Sequence, residues 1–106
     1  MADTGLCEVD LWIDEMRGIV VAGCPVLLVR REDGVVAFRD RCPHQGYPLS
    51  EGELADGVIT CPVHQHRFDA ASGRGINPLG ACLVRLPVVV SDGRIAVDPA
   101  PKKATP

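Results

Sequence analysis

Residues 42–64 read CPHQGYPLSEGELADGVITCPVH. Two of the three histidines in the chain fall in this stretch, each just downstream of a cysteine: Cys42-Pro43-His44 and Cys61-Pro62-Val63-His64. Each short motif offers one soft anionic ligand and one neutral nitrogen ligand. The 16 residues 45–60 separate the two pairs. Four such ligands suit zinc or an iron–sulfur cluster. Zinc fingers pair cysteine with cysteine and histidine with histidine at the ends of a helix. Here each pair is mixed, and the intervening segment ends in the strand-like Val58-Ile59-Thr60, an order that favours the cluster. The competing readings are a zinc-stabilised interaction module, and four unrelated residues comprising two buried thiols and two surface imidazoles.

Outward from this stretch the punctuation is that of an all-β protein, with short Val/Ile/Leu-rich runs separated by Gly, Pro, Asp and Ser. The expected strands are Ile19 to Ala22, Val26 to Arg30, Val35 to Arg39, Val58 to Thr60, Arg67 to Ala70, Cys82 to Arg85, Val88 to Val90 and Ile95 to Val97. Asp33-Gly34 and Asp92-Gly93 are dipeptides that accept the backbone of tight hairpin turns, so each predicts an antiparallel hairpin. Ser72-Gly73-Arg74-Gly75 reads as a turn and not as a phosphate cradle, because no helix pattern follows it. Residues 10–16 suggest a brief helical turn with Asp10 as its N-cap. Trp12 is expected to anchor that segment onto the sheet. Cys7, Cys24 and Cys82 have no ligand spacing and read as small buried hydrophobes.

The 106 residues allow one domain, expected over residues 1–98, followed by a disordered tail at 99–106. A net charge of −3 gives no broad basic field for a phosphate backbone, which argues against a nucleic-acid partner. The longest apolar stretch, residues 18–29, is broken by Gly23-Cys24-Pro25 and falls short of a membrane span. The opening MADTGLCEVD lacks the basic and apolar blocks of a secretory signal, so the expected compartment is the cytoplasm. There an odd set of five cysteines favours metal ligation or buried thiols over disulfides.

The ligand motif resembles that of Rieske proteins, in which two cysteines ligate one iron of a [2Fe–2S] cluster and two histidines the other. The resemblance extends to Leu49-Ser50-Glu51-Gly52, Phe68-Asp69 and Gly73. It implies an all-β Rieske domain, an antiparallel β-sandwich with a small two-loop cluster-binding subdomain at about 40–79. It implies one [2Fe–2S] cluster held by Cys42 and Cys61 on the inner iron and by His44 and His64 on the outer iron. Two thiolates and two neutral imidazoles leave the oxidised cluster formally neutral, so adding an electron is easier than to an all-cysteine cluster. Gly46 is expected to let the first loop approach the cluster, where amide N–H groups reach the sulfurs.

High-potential members of this family carry an extra cysteine in each loop, joined as a disulfide clamp; those positions are Tyr47 and Val63 here. Their hydroxyl donors toward the cluster are replaced by His66 and Phe68. Fewer donors imply a potential near the low end of the Rieske range, roughly −150 mV. This pattern is similar to soluble ferredoxins of bacterial oxygenase systems. Residues 10–16 and Gly73-Arg74-Gly75-Ile76-Asn77-Pro78 look like the ferredoxin component of toluene-4-monooxygenase-type systems. That resemblance implies an electron carrier and not an enzyme, working between an NADH-dependent flavin and [2Fe–2S] oxidoreductase and a diiron hydroxylase. Gln45, Gln65, His66 and Pro78 would lie on the partner surface near the cluster, with His66 as either a solvated side chain or a redox-linked proton site. Glu51, Glu53 and Asp56 make the connection between the loops acidic, either as an ordinary solvated loop or as a steering surface. The alternatives are the ferredoxin of a Rieske ring-hydroxylating dioxygenase and a nitrite reductase small subunit. The intact ligand set counts against the latter.

Overall fold

The computed structural model describes residues 1–43, 46–63, 65–77 and 79–99. The run Val26-Leu27-Leu28-Val29 explains the layering. Four consecutive apolar residues in a strand point alternately to opposite faces, so both faces must be covered. All four are fully buried. Val26 and Leu28 face one core with Leu11, Val35, Ala37, Leu86, Ile95 and Val97. Leu27 and Val29 face another with Phe38, Leu49, Ile59, Phe68, Leu83 and the two cysteines Cys42 and Cys61.

Among the described residues, eleven strands make three antiparallel sheets. The central one pairs β2 (Met16–Val21), β3 (Cys24–Arg31), β4 (Gly34–Arg39) and β9 (Arg85–Leu86) in that order. On one side lies the sheet of β1 (Ala2–Cys7), β11 (Arg94–Val97) and β10 (Val88–Ser91). On the other lies the sheet of β5 (Glu53–Ala55), β6 (Val58–Thr60), β7 (Arg67–Asp69) and β8 (Gly75–Asn77). Among the described residues there is no α-helix, and none is long and apolar enough to cross a membrane. Cys42 and Cys61 sit in the core beneath this third sheet.

Both Asp-Gly hairpins form, joining β3 to β4 and β10 to β11. Asp92 and Gly93 both take positive φ, 52° and 78°, the conformation of a two-residue turn that follows the strand twist. Asp56-Gly57 does the same between β5 and β6. The signal was present there too, in the acidic connection between the ligand pairs.

Several local expectations are corrected. Residues 10–16 form no helical turn capped by Asp10. The 3₁₀ turn is Glu8–Asp10, and the Asp10 carboxylate accepts the Cys7 amide at 2.8 Å. Strand pairing wins over a helical ladder here, because the Asp14 amide donates to the Arg30 carbonyl at 2.7 Å and Met16 enters β2. Trp12 is not the anchor: it is 82% exposed, and Leu11 is buried in its place. The Arg30 guanidinium donates to the Glu8 and Leu11 carbonyls at 2.7 and 2.9 Å, fixing extended backbone at Leu11 so that adjacent side chains face opposite ways.

Cys7 and Cys24 are only partly buried and Cys82 is exposed. The expected strand Cys82–Arg85 is reduced to β9, with Cys82 in an isolated bridge to Arg74. Residues 83–84 bond alternately to two sides: the Leu83 amide donates to the Gly73 carbonyl, while the Val84 carbonyl accepts the Arg39 amide. This crossing segment cannot run as a regular ladder. Strands β1, β5 and β8 were not foreseen. Segments as polar as ADTGLC, or as short as ELA and GIN, become strands only because distant partners pair with them, as Ala2 does with Val97.

Candidate metal centre

The first loop leaves the end of β4 at Asp40. Its cysteine is closed into a tight ring of backbone bonds: the Cys42 amide donates to the Tyr47 carbonyl at 2.8 Å, and the Gly46 amide donates to the Cys42 carbonyl at 2.7 Å. The second loop leaves β6 and closes in the same way, the Cys61 amide donating to the His66 carbonyl at 2.8 Å. Each cysteine thus bonds to the fifth residue after it, and the two loops are matched. Gly46 takes φ of 72°, which lets that ring close. The Val63 amide reaches a sulfur, donating to the Cys61 Sγ.

Cys42 and Cys61 are 2% and 0% exposed, share one core, and are hydrogen-bonding neighbours through their sulfurs. Burial first, and the neighbouring Cys42 second, push the Cys61 thiol above its ordinary value, while the Val63 N–H opposes them. The bare Cys61 thiol thus resists ionising. A multiply charged metal centre reverses that balance by ligating the thiolates. Two adjacent buried sulfurs, one already accepting an amide, fit a group that needs two thiolates on one iron. All five cysteines are free, so Tyr47 and Val63 stand where no clamp exists.

His44, His64, Gln45 and Pro78 lie outside the described residues. In sequence, each histidine falls between its cysteine and the residue that closes that cysteine's ring. Of the remaining candidates for a partner surface, Gln65 is exposed and takes φ of 57°, and His66 is partly buried. Phe68 is fully buried against the same core as the cysteines, pairing with Ile59 across β6 and β7.

The segment Leu49-Ser50-Glu51-Gly52 ties the loops to the sheet. Leu49 is buried against the cysteine core. The carboxylate of Asp40, itself buried, accepts the Ser50 amide at 2.8 Å and the Ser50 hydroxyl at 2.6 Å. At Gly52 a side chain would run into the Thr60 carbonyl, one residue before Cys61. Asp40 was not singled out in the sequence. Its only sequence signal was its place two residues before Cys42. No local pattern marks Arg39 and Arg41, which flank it.

An antiparallel β fold with two matched loops, each opening on a buried cysteine, defines the class. The Rieske [2Fe-2S] domain family matches residues 6–87, and the chain belongs to that family. Its cofactor is one Rieske [2Fe–2S] cluster. The chain is 41% identical over 102 residues to the ferredoxin component of the alkene monooxygenase system of Xanthobacter autotrophicus, covering 92% of this chain and 84% of that one. It is similar in structure to the ferredoxin of carbazole 1,9a-dioxygenase from Nocardioides aromaticivorans, with a TM-score of 0.80, 27% identity, and coverage of 93% and 96%. It is similar as well to a chain in a complex of reduced oxygenase and oxidised ferredoxin of carbazole 1,9a-dioxygenase, with a TM-score of 0.79, 28% identity, and coverage of 92% and 90%. The chain is accordingly a ferredoxin-type electron carrier and not an enzyme by itself.

Proposed function

We propose that this chain carries single electrons from an NADH-dependent flavin and [2Fe–2S] oxidoreductase to the diiron hydroxylase of a bacterial alkene or aromatic monooxygenase system, in the cytoplasm. The observation that carries the reading is the contact between two buried cysteines on matched loops, in a chain 41% identical to an alkene monooxygenase ferredoxin. Residues 1–98 form the domain, with about 40–79 as its cluster-binding part. Cys42 and Cys61 hold the inner iron, and His44 and His64 the outer. When bound, the cluster supplies one-electron chemistry at a potential of roughly −150 mV.

The chain's own residues set the conditions for that chemistry. Phe38, Leu49, Ile59 and Phe68 exclude water from the thiolates, and the Val63 amide donates to the sulfur of Cys61. Phe68 supplies no hydroxyl, which keeps the potential low. Gln45, Gln65, His66 and Pro78 form the proposed partner surface.

The likeness to the carbazole dioxygenase ferredoxin favours a second reading, in which the electron acceptor is a Rieske ring-hydroxylating oxygenase. Reconstitution decides between them. The holoprotein is mixed with NADH, the reductase, and either a diiron hydroxylase or a ring-hydroxylating oxygenase, and product is measured. Ferredoxin-dependent product with the diiron enzyme alone is the expected result; product only with the other transfers the function to the second reading. An anaerobic redox titration followed by EPR comes first. A silent sample with stoichiometric zinc would overturn both.

A further inference from the structure

The strand β4 runs between two clefts of opposite charge. At its start, Asp14, Arg31, Glu32, Asp33, Asp56 and Gly57 line a cleft of about 450 Å³, with four carboxylates against one guanidinium. At its end, Arg39, Arg41, Cys42, Pro43, Gly46 and Val84 line a cleft of about 290 Å³, with two guanidiniums and no carboxylate. Asp33 and Arg39 are six residues apart along extended chain, about 20 Å. A protein of net charge −3 therefore turns a positive end outward beside its ligand loop.

The side chains of Arg39 and Arg41 are not engaged in hydrogen bonds or ion pairs among the described residues. Arg17, Arg30 and Arg94 bond to neighbouring carbonyls or carboxylates. The Arg41 guanidinium lies over Gly46, with Nη2 3.2 Å from where a Cβ would stand, and so rests on the first ligand loop itself. Unpaired guanidinium forks match carboxylates in two-point contacts, and a charge separation of this length orients a molecule as it approaches a partner.

We propose that the Arg39–Arg41 cleft is the docking surface for an electron-transfer partner that presents carboxylates beside its redox centre. The proposal deepens the carrier role and rests on it. Carboxylates seated in this cleft bring the partner's redox centre against the loop that holds Cys42, and the acidic far end turns the other pole away before contact. Of the acidic residues between the two loops, Asp56 belongs to the far, acidic cleft. A second copy of the chain, inserting its own acidic cleft, is the competing occupant. It would cover the ligand loop with the end farthest from its own cluster.

The test uses the reduced holoprotein in stopped flow against two protein oxidants, plastocyanin, which is acidic, and cytochrome c, which is basic. R39Q/R41Q is compared with R17Q/R94Q, which removes the same two charges elsewhere, so that both go from −3 to −5. For the wild type, the plastocyanin rate falls as salt rises. R39Q/R41Q lowers that rate about fivefold at low salt and raises the cytochrome c rate, whereas R17Q/R94Q changes both little. A shift in potential would move both oxidants in the same direction, so opposite changes isolate the local field. A wild-type plastocyanin rate that climbs with salt, or equal responses of the two double variants, overturns the proposal. So does concentration-dependent self-association at low salt that R39Q/R41Q abolishes. Neither oxidant is an oxygenase component, so the outcome does not depend on which terminal oxygenase is served. Failure to reduce either one, with the cluster intact, defeats the carrier reading itself and the docking surface with it.

Discussion

At the scale of single residues, two carboxylates do most of the holding around the loops. Asp40 is buried and spends both oxygens on Ser50, linking the exit of β4 to the segment between the cysteines. In Ser50→Ala the carboxylate keeps one amide and loses its hydroxyl partner, so the variant should lose about 1–2 kcal/mol in urea unfolding. Asp69 accepts the Ser72 hydroxyl at 2.7 Å and its amide at 3.0 Å. The Ser72 hydroxyl first, with the Ser72 and Ala71 amides and the charge of Arg31 adding, holds the Asp69 carboxyl below its ordinary value of 3.8 against the effect of burial. A carboxyl depressed in the folded state stabilises in full above its unfolded value and loses that contribution as pH falls through the lowered one. Ser72→Ala should therefore cost about 1 kcal/mol at neutral pH. Paired urea titrations should show that difference closing as the pH drops below 3.8.

At the scale of elements, the segment from Glu8 to Glu15 differs most from its sequence reading. The Trp12 amide donates to the Glu15 carboxylate at 2.8 Å, and the Glu15 amide returns to the Trp12 carbonyl at 3.0 Å. The turn is pinned by its polar groups, and its one large aromatic ring is left in solvent. Trp12→Ala should change the unfolding free energy by less than about 0.5 kcal/mol. Leu11→Ala should cost about 2–4 kcal/mol. If the two variants lose comparable stability in thermal unfolding, the exposed placement of Trp12 is wrong. Hairpins, by contrast, were legible, because Asp33-Gly34 and Asp92-Gly93 carry their turn chemistry in the dipeptide itself. Strands such as β5 and β8 were not, since three residues hold too little pattern to distinguish strand from loop.

At the scale of the whole molecule, the two thiols proposed to hold the cluster are also core residues. Cys42 and Cys61 pack with Phe38, Leu49, Ile59 and Phe68 between the central sheet and the sheet of β5 to β8. Iron loading and folding are then coupled. Burial keeps the Cys61 thiol protonated in the bare chain. Loading ferric iron and hydrosulfide into apoprotein at neutral pH should thus release about four protons per cluster, two from the thiols and two from the hydrosulfide, measurable with a pH indicator in weak buffer. The loaded chain should also melt at a higher temperature than the bare one. Equal melting temperatures would mean that the core closes without the cluster.

The sequence by itself determined the all-β class, the principal hairpins and the paired cysteine–histidine motif. Short Val/Ile/Leu-rich runs, Asp-Gly pairs and cysteine–histidine spacing are each encoded within a few neighbouring positions. Only the tertiary structure decided that the run Val26–Val29 serves two cores, that Leu11 and not Trp12 is the anchor, and that Asp40 fastens the loop connection. It alone also set opposite charges at the two ends of β4. The physical reason is the same in each case. Burial, hydrogen-bond partnership and electric field depend on groups far apart in the chain, and no local window contains both members of the pair.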